Sequence, residues 1–181
     1  MTAKDELLKL VEECRANRPR AQEKLFRQFY GFAIQTALRY CNNEEDAADI
    51  LSISFTKIFR HIDSFDSEKG QLHGWIKRIV INQAIDHIKA MGKFKETYPI
   101  EKTDTYILEN AAIEKLTAAE LLIIIQELSP VRRTVFNLYA VEGFNHREIN
   151  ELTGLNENTS KWHLTEAKKQ LQMKILNRKI L

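Results

Sequence analysis

Hydrogen-bonding and basic side chains are concentrated in residues 144–169, and their spacing suits binding rather than catalysis. Asn145 is a good helix N-cap with Glu148 three positions later, as in a capping box. Gly154 can end that helix in the left-handed conformation, and Asn156 can cap a second helix. The segment therefore predicts a helix-turn-helix, a motif whose second helix can enter the major groove of DNA.

The second of these helices is predicted to have one packing face and one polar face. Small and apolar residues recur at steps of four, three and four on the packing face: Ser160, Leu164, Ala167 and Leu171. Polar, basic and aromatic residues elsewhere on the helix could reach base edges and phosphates. The set that we predict to contact DNA is Asn158, Thr159, Lys161, Trp162, His163, Thr165, Lys168 and Lys169. The alternative is an ordinary helical hairpin whose basic face is only solvated.

The charge distribution favours an anionic partner for the C-terminal part of the chain. The formal net charge is +2, but it divides into +1 for residues 1–90, −3 for residues 91–128 and +4 for residues 129–181. A basic part that follows an acidic one suggests that the basic part binds an anion. Ordinary variation in surface charge would explain the same numbers, so the charge only adds to the helix-turn-helix pattern.

Composition excludes several classes of protein. The 181 residues are 44% hydrophobic and 29% charged, as is typical of globular proteins, and 6 glycines and 3 prolines are few for an all-β chain. Cys14 and Cys41 lie in no CxxC or Cys/His cluster, so we expect neither a disulfide framework nor a zinc site. The charged N-terminus and the short apolar run Leu121–Ile125 predict no signal peptide and no membrane insertion. We therefore expect a soluble, cytoplasmic protein.

The sequence contains no recognisable set of catalytic residues. Its five histidines are scattered without metal-ligand spacing, and the HExxH, P-loop, GxGxxG and GxSxG motifs are absent. The acidic residues Glu44, Glu45, Asp46 and Asp49 could imitate a metal site, but the other ligands are missing, which favours a helix N-terminus or a docking surface. The sequence predicts that the protein is not an enzyme and has no cofactor, metal or small-molecule substrate.

Helical periodicity dominates the sequence and predicts an all-α fold. In the N-terminal half, helices are expected over residues 4–15, from Pro19 to about Tyr40, from Glu44 to about Ile62 and from Trp75 to about Ala90, with a polar loop over residues 63–74. In the C-terminal half, helices are expected from about Ala111 to Leu128, from Ser129-Pro130 onward and in the helix-turn-helix. We therefore predict two small helical domains, residues 1–90 and 113–181, joined by a linker over residues 91–112.

Four motifs follow one another along the chain. The first two are Asp46-Ala47-Ala48-Asp49-Ile50 with Phe55 and Phe59, and Gly74-Trp75-Ile76-Lys77-Arg78-Ile79 with Asn82 and Asp86. The third is Leu128-Ser129-Pro130 with Arg132-Arg133, Glu142-Gly143-Phe144 and Glu148-Ile149. The fourth is Thr159-x-Lys161 with Ala167-Lys168. In order and spacing they resemble RNA polymerase sigma factors of the extracytoplasmic-function type, and the resemblance extends from about Ala21 to Leu176.

The resemblance implies that the N-terminal domain is the family's region two and the C-terminal domain its region four. Region two would bind core RNA polymerase through Asp46, Asp49, Phe55, Lys57 and Phe59. It would also bind the minus-ten promoter element, through Trp75, Arg78, Asn82, Asp86 and Lys89. Region four would read the minus-thirty-five element with the helix-turn-helix. The implied partners are core RNA polymerase, promoter DNA and an anti-sigma protein that masks these surfaces.

The predicted fourth helix is physically compatible with single-stranded DNA. Arg78, Asn82, Asp86 and Lys89 recur at steps of four, four and three, so they share one face of that helix. An unstacked base needs a flat surface, for which the candidates are His73, Trp75 and His87. The alternatives are that Trp75 is a core residue and that Asp86 orients a basic neighbour.

Some positions depart from the family pattern. Ser52 and Ile53 stand where a polar amide and a carboxylate are usual, and Trp162 and His163 are unusual in the recognition helix. Glu166 stands at an arginine position and would repel phosphate, so it either points away from DNA or binds an internal cation. Two other functions stay open: a helix-turn-helix regulator that acts without core polymerase, and a protein-binding helical adaptor.

Overall fold

The computed structural model describes residues 2–92, 94 and 117–178, and all the regular structure in these ranges is helical. Its α-helices are α1 (Ala3–Arg15), α2 (Pro19–Leu38), α3 (Glu44–Arg60), α4 (Leu72–Ala90), α5 (Ala118–Gln126), α6 (Pro130–Phe136), α7 (His146–Thr153) and α8 (Glu157–Arg178). The all-α prediction is therefore confirmed. No helix in the described ranges combines the length and the apolar character needed to cross a bilayer.

The helices pack as two compact units. One holds α1, α2, α3 and α4 as far as Ala84, and the other holds the segment Arg39–Asn42, the rest of α4 and α5 to α8. Apart from Met91, Gly92 and Phe94, the linker expected over residues 91–112 lies outside the described residues, as does the helical start expected near Ala111. The domain bounds 1–90 and 113–181 stay a prediction.

The core of the first unit is formed by apolar residues that recur at helical spacing. Its buried side chains include Leu25, Phe29, Ala33 and Ala37 from α2, Ala47, Ile50, Leu51 and Ile58 from α3, and Ile76, Val80, Ile81 and Ala84 from α4. Local capping explains where α3 begins, because the Asn43 side chain accepts a hydrogen bond from the Asp46 backbone N–H at 2.7 Å. Packing then selects which face of each helix is buried.

The connection from α3 to α4 is shorter than the predicted loop over residues 63–74. It begins with a 3-10 turn over Ile62–Ser64, and α4 begins at Leu72 instead of Trp75. Leu72 is buried and the Trp75 backbone N–H donates to the Gln71 carbonyl at 3.2 Å, so the helix gains its first turn by burying an apolar side chain. The predicted helix start was wrong. Leu72 has polar neighbours in the sequence, so local composition indicates a loop, whereas burial of Leu72 depends on a tertiary contact.

The second unit contains the helix-turn-helix that the sequence predicts. Asn145 and Glu148 form the expected capping box at the start of α7, and Gly154 ends that helix at φ +81°. The Asn156 side chain accepts from the Thr159 backbone N–H at 2.9 Å and so caps α8. Upstream, Pro130 occupies the first turn of α6, which continues into a π-helical turn over Asn137–Val141. The capping residues, the turn at Gly154 and the proline at the start of α6 are confirmed, whereas the π-helical turn was not predicted.

A small apolar core joins α5 to the second half of α8. It consists of Ile124, Ile125 and Leu128 from the α5 side and Ala167, Leu171 and Ile175 from α8. The Lys174 ammonium and the Glu127 carboxylate form an ion pair at the edge of this core. This packing holds α8 by its inner face and leaves the opposite face of the helix for other contacts.

Gly154→Ala should lower the free energy of unfolding of the second unit by about 1 kcal/mol, because residues with a Cβ resist the left-handed conformation. No atom lies within 4 Å of the added Cβ, so the cost is backbone strain and not a clash. Gly154→Asn should lose less, since asparagine tolerates this conformation better. The measurement is urea unfolding followed by Trp162 fluorescence in a Trp75→Phe background, which leaves one tryptophan. Equal losses for both variants would contradict the explanation.

Candidate nucleic-acid interface

Helix α8 separates its side chains into the two faces that the sequence predicts. Ser160, Leu164, Ala167 and Leu171 are all buried, which confirms the packing face. On the remaining surface Asn158 and Lys161 are exposed, and the half-buried positions are Thr159, Trp162, Thr165, Lys168 and Lys169. Seven of the eight residues expected to contact DNA therefore keep some access to solvent.

His163 is the exception among the eight, because its side chain is 0% exposed. An imidazole in that position cannot reach a base or a phosphate, so the expected DNA contact of His163 is corrected. Burial first, and then the nearby Arg132 cation, lower the pKa of His163 to about 4. The neutral imidazole acts as a core side chain of the second unit.

Arg132 of α6 meets Trp162 of α8. The centre of the Arg132 guanidinium lies 5.4 Å from the centroid of the Trp162 ring, which is cation–π distance. The same indole lies against His163 at 4.9 Å between ring centroids, with the ring planes at 70°. The sequence shows Arg132 only as part of a motif and does not predict this contact, because the two residues are distant in sequence.

A second aromatic group lies where α7 meets α8. The His146 ring stacks on Tyr139 at 4.9 Å with a 24° angle between planes, and the Lys168 ammonium is 5.8 Å from the Tyr139 centroid. His146 Nδ1 and Ser160 Oγ are 2.9 Å apart and join the two helices by a hydrogen bond. Burial, with the nearby Lys161 cation, lowers the pKa of His146. Tyr139 and His146 were not among the predicted site residues.

The exposed cations of the helix-turn-helix are only weakly engaged within the protein. Lys161 Nζ lies 3.9 Å from the Glu157 carboxylate one turn earlier, and Arg147 lies 3.5 Å from Glu151. Exposed ion pairs of this kind contribute little stability and are screened by salt. Lys161 can therefore exchange its carboxylate partner for a phosphate at small cost.

The polar face of α4 in the N-terminal half of the chain has the exposure that the sequence predicts. Arg78, Asp86 and Lys89 are exposed and Asn82 is half-buried. Trp75 is also half-buried, because its ring packs against Phe65 at 5.7 Å between centroids. The Trp75 ring is thus partly packed and keeps some accessible surface, and its stacking on a base stays a prediction.

A cleft lies next to the segment between α3 and α4. Its volume is about 600 Å³, and its walls include Leu7, Val11, Gln28, Phe65 and His73. The His73 ring packs on Phe29 at 4.6 Å, so it is held in place beside the cleft. Of the other stacking candidates, His87 is half-buried. Apolar walls with a few amide and imidazole groups suit a flat heterocycle that also forms hydrogen bonds.

Helix α3 presents a different surface from the one expected. Asp49 is exposed, while Asp46, Lys57 and Phe59 are half-buried. Phe55 is only 3% exposed and packs edge-on against Phe26 at 4.7 Å, so its predicted contact with a partner is corrected to a role in the core. Ile53, which the sequence marked only as a departure from a pattern, is 44% exposed.

No group of three or more potential metal-binding side chains occurs in the part of the chain that the structure describes. Glu166 is half-buried, and neither a lysine nor an arginine forms an ion pair with it among the described residues. The internal cation that would neutralise Glu166 is therefore not found in that part of the chain.

Two family models match the two halves of the chain. One is Sigma-70 region 2, over residues 25–93, and the other is Sigma-70 region 4, over residues 118–171. Together they cover more than half of the sequence. The chain belongs to the sigma-70 family of RNA polymerase sigma factors, in its extracytoplasmic-function group. The region 4 match contains α6, α7 and most of α8, and the region 2 match contains α3 and α4.

Individual sigma factors are similar over most of this chain. The chain is 24% identical over 155 residues to the ECF RNA polymerase sigma factor SigE of Mycolicibacterium smegmatis, a match that covers 83% of this chain and 60% of that protein. It is 25% identical over 139 residues to the RNA polymerase sigma factor SigV of Bacillus subtilis, covering 77% and 81% of the two chains. The chain thus spans about 60% of the length of the first of these relatives.

A solved structure shares the fold. It is the sigma factor RpoE in complex with the anti-sigma factor NepR from Bartonella quintana, at a TM-score of 0.52 and 18% identity. The match covers 86% of this chain and 96% of that chain. At this identity the likeness supports the helical fold of the sigma factor and not the role of any residue.

The second unit should lose stability as the pH falls from about 6.5 to about 4. The unfolded chain takes up a proton on His163 in this window while the folded chain does not, because the folded pKa is the lower one. The contribution of His163 to this loss is up to about 3 kcal/mol and is complete near pH 4. Urea unfolding at several pH values, followed by Trp162 fluorescence in the Trp75→Phe background, measures it.

Two variants test whether His163 is the group that causes the pH dependence of stability. His163→Leu should flatten the pH dependence whatever its effect on stability at pH 7, because the titrating group is removed. His146→Gln should keep most of the pH dependence, because the His146 ring is less buried than that of His163. The lowered pKa of His146 gives a contribution of the same sign. A His163→Leu protein with the full pH dependence would show that another group is responsible.

Proposed function

We propose that this chain is a transcription initiation factor that joins core RNA polymerase and directs it to particular promoters. The observation that carries the proposal is the pairing of a region 2 match with a region 4 match whose α8 keeps a cationic, hydrogen-bonding face accessible. Such a protein positions the polymerase and performs no bond chemistry, so it needs no cofactor and no small-molecule substrate. Its partners would be core polymerase, promoter DNA and an anti-sigma protein, in the cytoplasm.

The C-terminal unit would read the duplex minus-thirty-five element. With α8 in the major groove, Asn158 and Thr165 can reach base edges, and amide and hydroxyl side chains form hydrogen bonds with bases there. Lys161, Lys168 and Lys169 would contact phosphates, which fix the register of the protein on the DNA without specifying sequence. The half-buried Glu166 would lie beside this surface rather than on it.

The N-terminal domain predicted over residues 1–90 would bind core polymerase and the opened minus-ten element. Arg78, Asn82, Asp86 and Lys89 form the polar face of α4 along which a single strand could run. The cleft lined by Phe65 and His73 has room for an unstacked base. On α3, the exposed Asp49 and Ile53, with the half-buried Lys57 and Phe59, offer a mixed surface for the polymerase.

Run-off transcription with purified core polymerase, this protein and a genomic promoter library tests the proposal. Discrete transcripts that require the protein are expected, and their start sites identify both promoter elements. The main alternative is a helix-turn-helix regulator that acts without polymerase. DNA binding without any polymerase-dependent transcript, together with failure to co-purify with core enzyme from a matched bacterium, would favour that regulator and contradict the proposal.

Lys161→Gln should weaken binding to duplex promoter DNA and reduce its dependence on salt. Each phosphate neutralised by a cation contributes about 0.9 to the slope of log affinity against log salt concentration, so the slope should fall by about 1. The measurement is a fluorescence anisotropy titration at four or more salt concentrations. Lys174→Gln is the matched control, because Lys174 pairs with Glu127 at the edge of the core between α5 and α8. An unchanged slope would exclude a phosphate contact for Lys161.

A further inference from the structure

Arg132 is held against α8, the second helix of the helix-turn-helix, although Arg132 itself lies outside that motif. It belongs to α6, and its guanidinium lies over the ring of Trp162 at 5.4 Å from the centroid. Trp162 follows Asn158 by four residues and precedes Thr165 by three, so the three share the outward face of α8. The positive charge of Arg132 is therefore placed beside this face from a different helix.

This cation has no carboxylate partner in the part of the chain that the structure describes. Carboxylates of the second unit in that part pair with other cations, among them Arg39, Lys161, Arg147 and Lys174. Arg132 itself is half-buried, and its Nε is enclosed without a hydrogen-bond partner. A guanidinium held by an aromatic ring with no counter-charge is a ready site for an external anion.

The contact with Trp162 also leaves the useful end of the guanidinium accessible. Nε is enclosed without a hydrogen-bond partner, whereas neither terminal nitrogen of Arg132 is among the enclosed unpartnered atoms of the described residues. Terminal guanidinium nitrogens donate two parallel hydrogen bonds to a phosphate, a geometry that lysine cannot reproduce. Stacking on the indole reduces the side-chain freedom that such a contact would otherwise remove.

We propose that Arg132 contacts a DNA phosphate beside the groove occupied by α8, and that Trp162 is the positioning residue that holds it there. This inference rests on the proposed binding of duplex DNA by the C-terminal unit. It places a phosphate contact on α6, before the helix-turn-helix begins. It also gives Trp162 a role different from reading a base, since the guanidinium covers part of its ring.

The first test compares Arg132→Gln with the wild-type full-length chain on a promoter duplex identified by run-off transcription. Arg132→Gln should weaken binding about fivefold to tenfold near physiological salt and lower the salt slope by about 1. Arg132→Lys should keep the slope and lose part of the affinity, because it keeps the charge without the bidentate geometry. Lys174→Gln should match wild type. Urea unfolding of each variant confirms that it is folded.

The second test asks whether Trp162 acts through Arg132. Trp162→Leu should weaken binding in the wild-type background and have little further effect in Arg132→Gln, because the residue that it positions is already gone. Methylphosphonate substitution, one phosphate at a time, should find a position whose neutralisation weakens wild-type binding but not that of Arg132→Gln. That position identifies the phosphate bound by Arg132.

The outcomes separate this inference from the proposed function. In one outcome, wild type binds the duplex and Lys161→Gln lowers the salt slope, but Arg132→Gln keeps the wild-type slope. If, in addition, neutralising each phosphate weakens wild type and Arg132→Gln equally, the Arg132 contact is wrong and the proposed function stands. A changed base preference with an unchanged slope would also overturn it, since Arg132 would then act only on the orientation of Trp162. If wild type fails to bind promoter duplexes and to support transcription, the proposed function itself fails.

Discussion

The close packing of α8 through one narrow face is the constraint on which the second unit depends. Ser160 and Ala167 are small, and both are fully buried on that face. The left-handed turn at Gly154 brings α8 back against α7, and the hydrogen bond between His146 and Ser160 joins the two helices. Because the inner face is fixed in this way, the direction of every outward side chain is fixed with it.

Electrostatics divides the cations of this unit into two kinds. Lys161 is exposed, pairs loosely with Glu157 and can exchange that partner for a phosphate. Arg132 is partly enclosed and oriented by an aromatic ring, so it has lost freedom before any partner arrives. His163 is buried against Trp162, and desolvation keeps it neutral, which avoids a second positive charge next to Arg132.

In the first half of the chain, α3 and α4 likewise each have one packed side and one exposed side. On α3, Phe55 turns inward to Phe26 while Ile53, two residues earlier, faces solvent. On α4, the apolar residues enter the core, and the polar residues from Arg78 onward occupy the opposite side. Each helix contributes to stability with one side and presents a binding surface with the other.

The sequence by itself determined the helical class, the capping residues of α7 and α8, the turn at Gly154 and the packing face of α8. These features depend on residues within about one helical turn of each other, so local patterns reveal them. Only the tertiary structure decided that His163 and Phe55 are buried, that Leu72 starts α4 and that Arg132 meets Trp162. Those outcomes depend on which helix lies opposite each side chain, and the spacing of residues along one helix carries no information about its neighbour.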